Sequence, residues 1–247
     1  MAVTTVYSSS RGYVRHAGSV ESDINDAFDD ARGSNTTTGT SAQGTGASAA
    51  WGVTAEETRG GDFSVQVYRT YMFFDLTDIG TDDITAITFT YFGLSNANGV
   101  GIVVRANQDN DFGTIATSDF PLVFNSSTSM TAYSSQFTPT ISGLGDNQIT
   151  LNATAISNAN SGGASKKLCL GIINYTYDFD YPDVEESFGS LLTGVNFTTT
   201  GASRAFLTVT HAAAGFGKNV NGVTAANIVK VNDVATGNIV KLNDVSA

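Results

Sequence analysis

Two crowded groups of carboxylates and one run of alternating rings carry the most chemical potential in this chain. Asp75, Asp78, Asp82 and Asp83 sit in FDLTDIGTDD, and Asp178, Asp180, Asp183, Glu185 and Glu186 sit in YTYDFDYPDVEE. On an extended backbone Asp178 and Asp180, at i and i+2, share one face of a strand end, with Tyr177 or Tyr181 beside them. A hard cation such as calcium takes about six to eight oxygens, yet no D-x-D-x-D-G loop is present to supply them. A glycosidase needs two carboxylates facing one another across a cleft, which sequence spacing alone does not place. Sugar binding is the third chemistry. Tyr175, Tyr177, Phe179 and Tyr181 alternate with Thr176, Asp178 and Asp180, and a pyranose offers C–H groups to a ring face and hydroxyls to acidic acceptors. Tyr177, Asp178, Asp180 and Tyr181 are therefore the candidate glycan-binding residues; the plainer alternative is that one face of this segment packs the core.

The other reactive side chains are few. His16 and His211 are the two imidazoles, so a triad or a multi-histidine zinc site must use one of them. A pairing of the two across neighbouring strands is conceivable, but no activated-serine motif accompanies either. The single cysteine, Cys169, lies in the apolar run LCLGII, reads as a buried small hydrophobe, and excludes an intrachain disulfide or thiolate metal cluster. Gly60-Gly61 and Gly99-Val100-Gly101 have no following lysine or helix, and read as turns instead of phosphate cradles. The expectation is a protein that is not an enzyme, with no catalytic residue, no metal and no cofactor.

The elements that position these residues are strands. Hydrophobic residues make up 41% of 247 and charged residues 14%, enough for one good core and a tail. Three prolines, 26 glycines and abundant Thr, Ser and Asn accompany the absence of any long 3.6-residue apolar period. Tyr68 to Leu76, Ile84 to Phe92, Gly101 to Ala106, Leu168 to Tyr177 and Arg204 to Thr210 are the clearest strands. In the second of these, apolar residues mostly alternate with Thr85, Thr88 and Thr90, as in a half-buried sheet. Glu21 to Ala31 suits a short acidic helix with Ile24 and Phe28 on one face. Ser34 to Ala50, without charge or large apolar side chain, reads as a long surface loop or a segment ordered by neighbouring subunits. Twelve basic residues against 23 acidic ones give a net charge of -11, which opposes a phosphate backbone and excludes nucleic acid as the expected partner. No run reaches the roughly 18 apolar residues of a membrane span, and the first 20 residues hold no signal-like apolar core. The expectation is a soluble chain without a signal peptide, not inserted in a membrane.

After residue 213 the pattern changes, which divides the chain into a domain over 1–213 and a tail over 214–247. VNGVTAANIVK is followed by VNDVATGNIVK and then LNDVSA, a repeat of 11 residues. VNGV and VNDV match strand, two-residue turn, strand, and Val, Ile, Asn and Gly are poor helix interiors. Val220, Val223, Ile228, Val231, Val234, Ile239, Leu242 and Val245 cannot all be hidden within so short a tail. They are the candidate assembly residues, covered in a homotrimer of this chain or by docking onto a larger surface.

YRTYMFFDLTDIGTDDITAITFTYFG resembles the jelly-roll modules of bacterial and phage surface proteins, the match resting on Arg69, Tyr71, Phe73 to Leu76, Ile79 and Ile84 to Phe89. ITLNATAISNANSGGASKKLCLGIINYTYDFDYPD and RAFLTVTH are similar to the end of the same module, so that the resemblance spans about residues 8 to 212. GKNVNGVTAANIVKVNDVATGNIVKLNDV is similar to repeats appended to structural and fibre proteins of tailed bacteriophages, although two of its turns read Asn-Asp in place of Asn-Gly. The resemblance implies an all-β, antiparallel jelly-roll β-sandwich with a short C-terminal β-repeat tail. It also implies a virion structural protein, made in the host cytoplasm and displayed on the particle surface as a capsid decoration, head fibre or tail fibre. Its partners would be its own copies, other virion proteins and host surface glycans. Beside this stands a carbohydrate-binding module of a bacterial surface or secreted system.

Overall fold

Val, Ile, Thr, Tyr and Phe dominate the segments that pair, because branched and aromatic side chains fit a pleated surface buried on at least one face. The computed structural model describes residues 1–44, 48–96, 99–108, 111–139, 146–181, 191–198, 205–212, 230–231, 234–235, 241–242 and 245–246. Its strands are β1 (Ala2–Tyr7), β2 (Ser10–Glu21), β3 (Ser41–Gly44), β4 (Ser48–Glu57), β5 (Phe63–Asp75), β6 (Asp83–Asn96), β7 (Gly101–Arg105), β8 (Phe124–Ser126), β9 (Ser129–Met130), β10 (Asp146–Thr150), β11 (Lys167–Asn174), β12 (Leu191–Thr198) and β13 (Phe206–Ala212). Four two-residue strands follow: β14 (Lys230–Val231), β15 (Val234–Ala235), β16 (Lys241–Leu242) and β17 (Val245–Ser246). The helices are α1 (Ile24–Arg32) and α2 (Ala153–Asn160).

All strand pairs are antiparallel. The main path runs β1-β13-β6-β12-β4-β5-β11-β7, with β10 added to β6, β2 to β5 and β3 to β2. β6 serves both layers of the sandwich: its first part pairs with β13 and β10, and its end pairs with β12. The chain is thus all-β with antiparallel sheets packed as a sandwich.

β5 shows how the core is divided. Its residues Met72 and Phe74 face the space between the layers, where Leu170 and Ile172 of β11 meet Ile87 and Phe89 of β6 and Leu207 of β13. Its alternate residues Val65, Val67, Tyr71 and Phe73 face the other way, under a cover made by α1 and the segment around Phe120 and Phe124. β11 is split in the same way, with Cys169 and Ile173 on the covered outer face. A strand buried on both sides reads as an unbroken apolar run, and LCLGII is one.

Local devices set the details. Asp23 caps α1 by accepting from the Asn25 and Asp26 N–H groups, and Gly33, at φ 64, ends it. Ile24 and Phe28 are both fully buried, as their i, i+4 spacing predicts. In β6, Ile84 pairs with His211 and Ala86 with Thr210, which leaves Thr85 as the extra residue of a bulge and lets Ile84 and Ile87 both face inward. The long loop expected over Ser34 to Ala50 is corrected: Ser41–Gly44 is β3, paired with β2, and β4 starts at Ser48. Small residues permit this. Gly44 lies opposite Gly12, where an added Cβ would stand 2.9 Å from the Gly44 Cα.

In the tail, Val231 pairs with Val234 and Leu242 with Val245. Val220, Val223, Ile228 and Ile239 lie outside the described residues.

Candidate functional site

The aromatic and acidic segment starts where β11 stops. The Asn174 side chain accepts from the Tyr177 N–H at 2.8 Å, which turns the backbone out of the sheet. Tyr175–Asp180 then forms a single wide helical turn, closed by the Tyr181 N–H on the Thr176 carbonyl at 3.0 Å, with Tyr181 in the left-handed region at φ 53. The expected strand end is therefore corrected: with no period of two here, Asp178 and Asp180 do not share a face. Asp180 is exposed, while Asp178 is fully buried.

Asp178 is held by an arginine from the middle of β5. Arg69, itself 0% exposed, grips both carboxylate oxygens, Nε to Oδ2 at 2.8 Å and Nη2 to Oδ1 at 2.6 Å. Its other donors reach the carbonyls of Phe120 at 3.0 Å and Arg32 at 2.8 Å. The guanidinium lies over the Phe120 ring at 4.0 Å and the Phe124 ring at 4.6 Å. Arg32 completes the arrangement from the last turn of α1, donating to the Asp178 carbonyl at 2.7 Å and the Thr128 carbonyl at 3.1 Å, with the Tyr181 ring 4.8 Å away. Burial pushes the Arg32 guanidinium below its ordinary value, against the pull of the Asp178 carboxylate. Tyr71 donates its hydroxyl to the Phe120 carbonyl at 2.7 Å, and burial raises its pKa. Two guanidiniums, one carboxylate and a ring of carbonyls fill this space with hydrogen bonds.

This bears on each candidate glycan residue. Asp178 has both its carboxylate oxygens and its carbonyl engaged inside the protein. Tyr177 stacks on Phe28 of α1 at 5.3 Å and 22°, so that its ring face packs the core. Tyr181 is half-buried over Arg32, and Asp180 alone of the four is exposed. Asp183, Glu185 and Glu186 lie outside the described residues.

The other acidic group and the two histidines are dispersed. Asp75 turns its carboxylate to the N–H and hydroxyl of Thr77, at 2.9 and 2.7 Å. His211 joins Asp82, 2.8 Å from Nδ1, and Thr4, 2.9 Å from Nε2. A hydroxyl, an imidazole and a carboxylate in one row have the connectivity of a nucleophilic triad; here the row ties the edge strand β1 to β13 and to the turn before β6. His16 is elsewhere, with Nδ1 3.0 Å from the Ala31 carbonyl and its ring 5.2 Å from Phe120, so the two histidines are not a pair. Among the described residues no group of three or more His, Cys, Asp or Glu is arranged to hold a metal, and no helix is long and apolar enough to cross a membrane.

A feature that sequence reasoning missed is a shallow cleft whose lining includes Arg105, Gln108, Tyr133, Asn158, Ser161 and Leu168. It draws on the end of β7, the end of α2 and the start of β11, segments that are far apart in sequence. The available signal was Arg105 closing the otherwise apolar run GIVV. No family model matches the chain, and comparison with curated proteins finds no relative.

Proposed function

We propose that this chain is a non-enzymatic structural protein displayed on the surface of a tailed-bacteriophage particle, as a capsid decoration, head fibre or tail fibre, and that its tail is the assembly element. The observation that carries the reading is the 11-residue repeat, which places Val220, Val231 and Leu242, and likewise Val223, Val234 and Val245, at equivalent positions. Apolar residues recurring in so short a tail need cover from outside it, and a trimer of equivalent tails supplies that cover by symmetry. The pairing of Val231 with Val234 and of Leu242 with Val245 suits a repeat whose unit is a small hairpin. The sandwich suits the same role, since an antiparallel fold of this kind carries loops at its ends and an acidic surface resists nonspecific contact. The jelly-roll arrangement of its strands belongs to this proposal.

Light scattering on the full chain and on a chain truncated before Lys218 tests it. A homotrimer that becomes a monomer on truncation is the expected result. A monomer in both overturns self-assembly through the tail and points to its docking on a preformed capsid, or to the carbohydrate-binding module.

A further inference from the structure

We propose that the outer face of the layer β1-β13-β6-β10 is a docking surface for a neutral polysaccharide. The register settles which side chains share that face. Leu207 and Val209 of β13, Ile87 and Phe89 of β6 and Ile149 of β10 point into the core, so the residues between them point away from it. Directly opposed across the four strands stand Thr5, Thr208, Thr88 and Thr150, a row of hydroxyls about 4.8 Å apart. On one side of this row run Tyr7, Phe206, Thr90 and Gln148, and on the other Val3, Thr210 and Ala86. The face is open: Thr5 and Thr150 are exposed, as are Val3 at 65% and Tyr7 at 40%.

Charge selects the ligand class. The three rows hold no charged side chain in a protein of net charge -11, and the positions that bound them at either end, Asp83 opposite Ala212 and Asp146 opposite Phe92, are carboxylates. Acidic glycans and nucleic acids are repelled by that distribution, and a cationic ligand finds no counter-charge within the rows.

Hydrogen bonding narrows the class further. Among the described residues, the side chains of Thr5, Thr88, Thr150, Thr208 and Thr210 make no hydrogen bond inside the protein, whereas Thr4, on the opposite face of β1, is tied to His211. Each threonine offers a donor, acceptor lone pairs and a methyl group in one side chain. A neutral pyranose presents the same mixture, with hydroxyls and C–H groups set round a ring. Tyr7 beside Phe206, with ring centroids 5.7 Å apart, adds an aromatic surface at one margin. Size argues against a protein partner. Four strands about 4.8 Å apart and three rows about 6.8 Å apart span roughly 400 Å², about half of the roughly 800 Å² that each member of a stable protein pair contributes. A chain of a few sugars laid across the strands fits. The proposal uses the sandwich alone and stands or falls separately from tail assembly and from display on a particle.

The test is threonine-methyl NMR on the full chain, titrated with hexasaccharides of glucose, mannose, galactose and N-acetylglucosamine, and with a guluronate hexamer at the same ionic strength. Expected are saturable shifts from at least one neutral hexamer, confined to Thr5, Thr88, Thr90, Thr150, Thr208 and Thr210, with the guluronate hexamer at least about tenfold weaker. Thr88→Val combined with Thr208→Val keeps a β-branched side chain at both positions; it binds the same hexamer about tenfold more weakly with an unchanged melting temperature. No saturable shift from any neutral hexamer, shifts centred on other threonines, guluronate binding as tight as that of the neutral chain, or a double variant that binds like the wild type overturns the proposal. Shifts at these threonines that follow protein concentration without sugar identify a second copy as the occupant and overturn it as well. The map of shifts needs no substitution, so it decides the matter even where the double variant disturbs folding.

Discussion

Asp178→Asn removes one charge from the fully enclosed Arg69–Asp178 pair and changes little else in shape. The amide keeps one acceptor oxygen and turns an N–H donor toward a guanidinium that already donates, so Arg69 loses one of its two prongs and all of its counter-charge. Arg32 lies close by and adds repulsion. Removing one partner of a buried pair costs about 3–5 kcal/mol, chiefly because the other charge stays buried and uncompensated. Against a typical stability of about 5–15 kcal/mol that is a large fraction, and at about 2–4 °C per kcal/mol for a chain of this size the melting temperature falls by about 6–20 °C. Circular dichroism melts and urea midpoints measure it, at low and high salt alike, since screening does not reach an enclosed pair. Arg69→Met with Asp178→Leu removes both charges and recovers most of the loss. Recovery stays incomplete: the Arg32 carbonyl loses its donor, whereas the Phe120 carbonyl keeps the Tyr71 hydroxyl. The reasoning is refuted by an Asp178→Asn chain within about 1 kcal/mol of the wild type, or by a double variant less stable than the single one. A ligand role for Asp178 makes the opposite forecast: binding is lost while the melt is unchanged.

Two further substitutions probe the cover over the outer face of β5. Gly18 of β2 lies against α1, where an added Cβ would stand 2.8 Å from the Ala31 N and 3.1 Å from the Ala27 carbonyl oxygen. Gly18→Ala therefore pushes α1 outward, costs about 1–3 kcal/mol and speeds amide exchange in Ile24–Arg32; unchanged exchange there contradicts the close approach. Asp30 accepts from the Ser19 backbone N–H and hydroxyl, which hold its carboxyl below the usual carboxylate range. The folded state then binds fewer protons than the unfolded one, so this contribution is present above the ordinary pKa of about 3.9 and is lost as pH falls through the lower folded value. Asp30→Asn makes the fall of the urea midpoint between about pH 5 and pH 3 shallower by a small amount, because the group is largely exposed; parallel curves for the two chains dismiss the linkage.

The sandwich was legible because its strands are long and their burial is reflected in composition: LCLGII announces two covered faces, and Ile24 with Phe28 announces the one face of α1. The bulge at Thr85 was not, since an extra residue is defined only against the register of β13. The segment over Tyr175–Asp180 misled for a physical reason. Its alternation of rings and polar groups mimics a strand, but the Asn174 cap converts it to a helical turn. The signal that could have warned was elsewhere: Arg69 is in phase with Val65, Val67, Tyr71 and Phe73, and a charge on a buried strand face requires a partner of opposite sign.

Recognition of an outside molecule requires hydrogen-bonding capacity that the fold itself leaves unused. By that criterion the charges of the aromatic turn are committed to the fold. The turn rich in tyrosine and aspartate looks like a ligand platform, yet Asp178, Arg69 and Arg32 are joined to one another and to the Phe120, Thr128 and Arg32 carbonyls, and Tyr177 spends its ring face on Phe28. Those residues define how α1 closes over β5. Lys166 is spent in the same way, anchored on the Gly80 and Gly163 carbonyls at 2.8 and 2.6 Å. A strand places adjacent residues on opposite faces, so Lys167 falls on the side of Cys169 while Arg105, opposite Leu170, falls on the other.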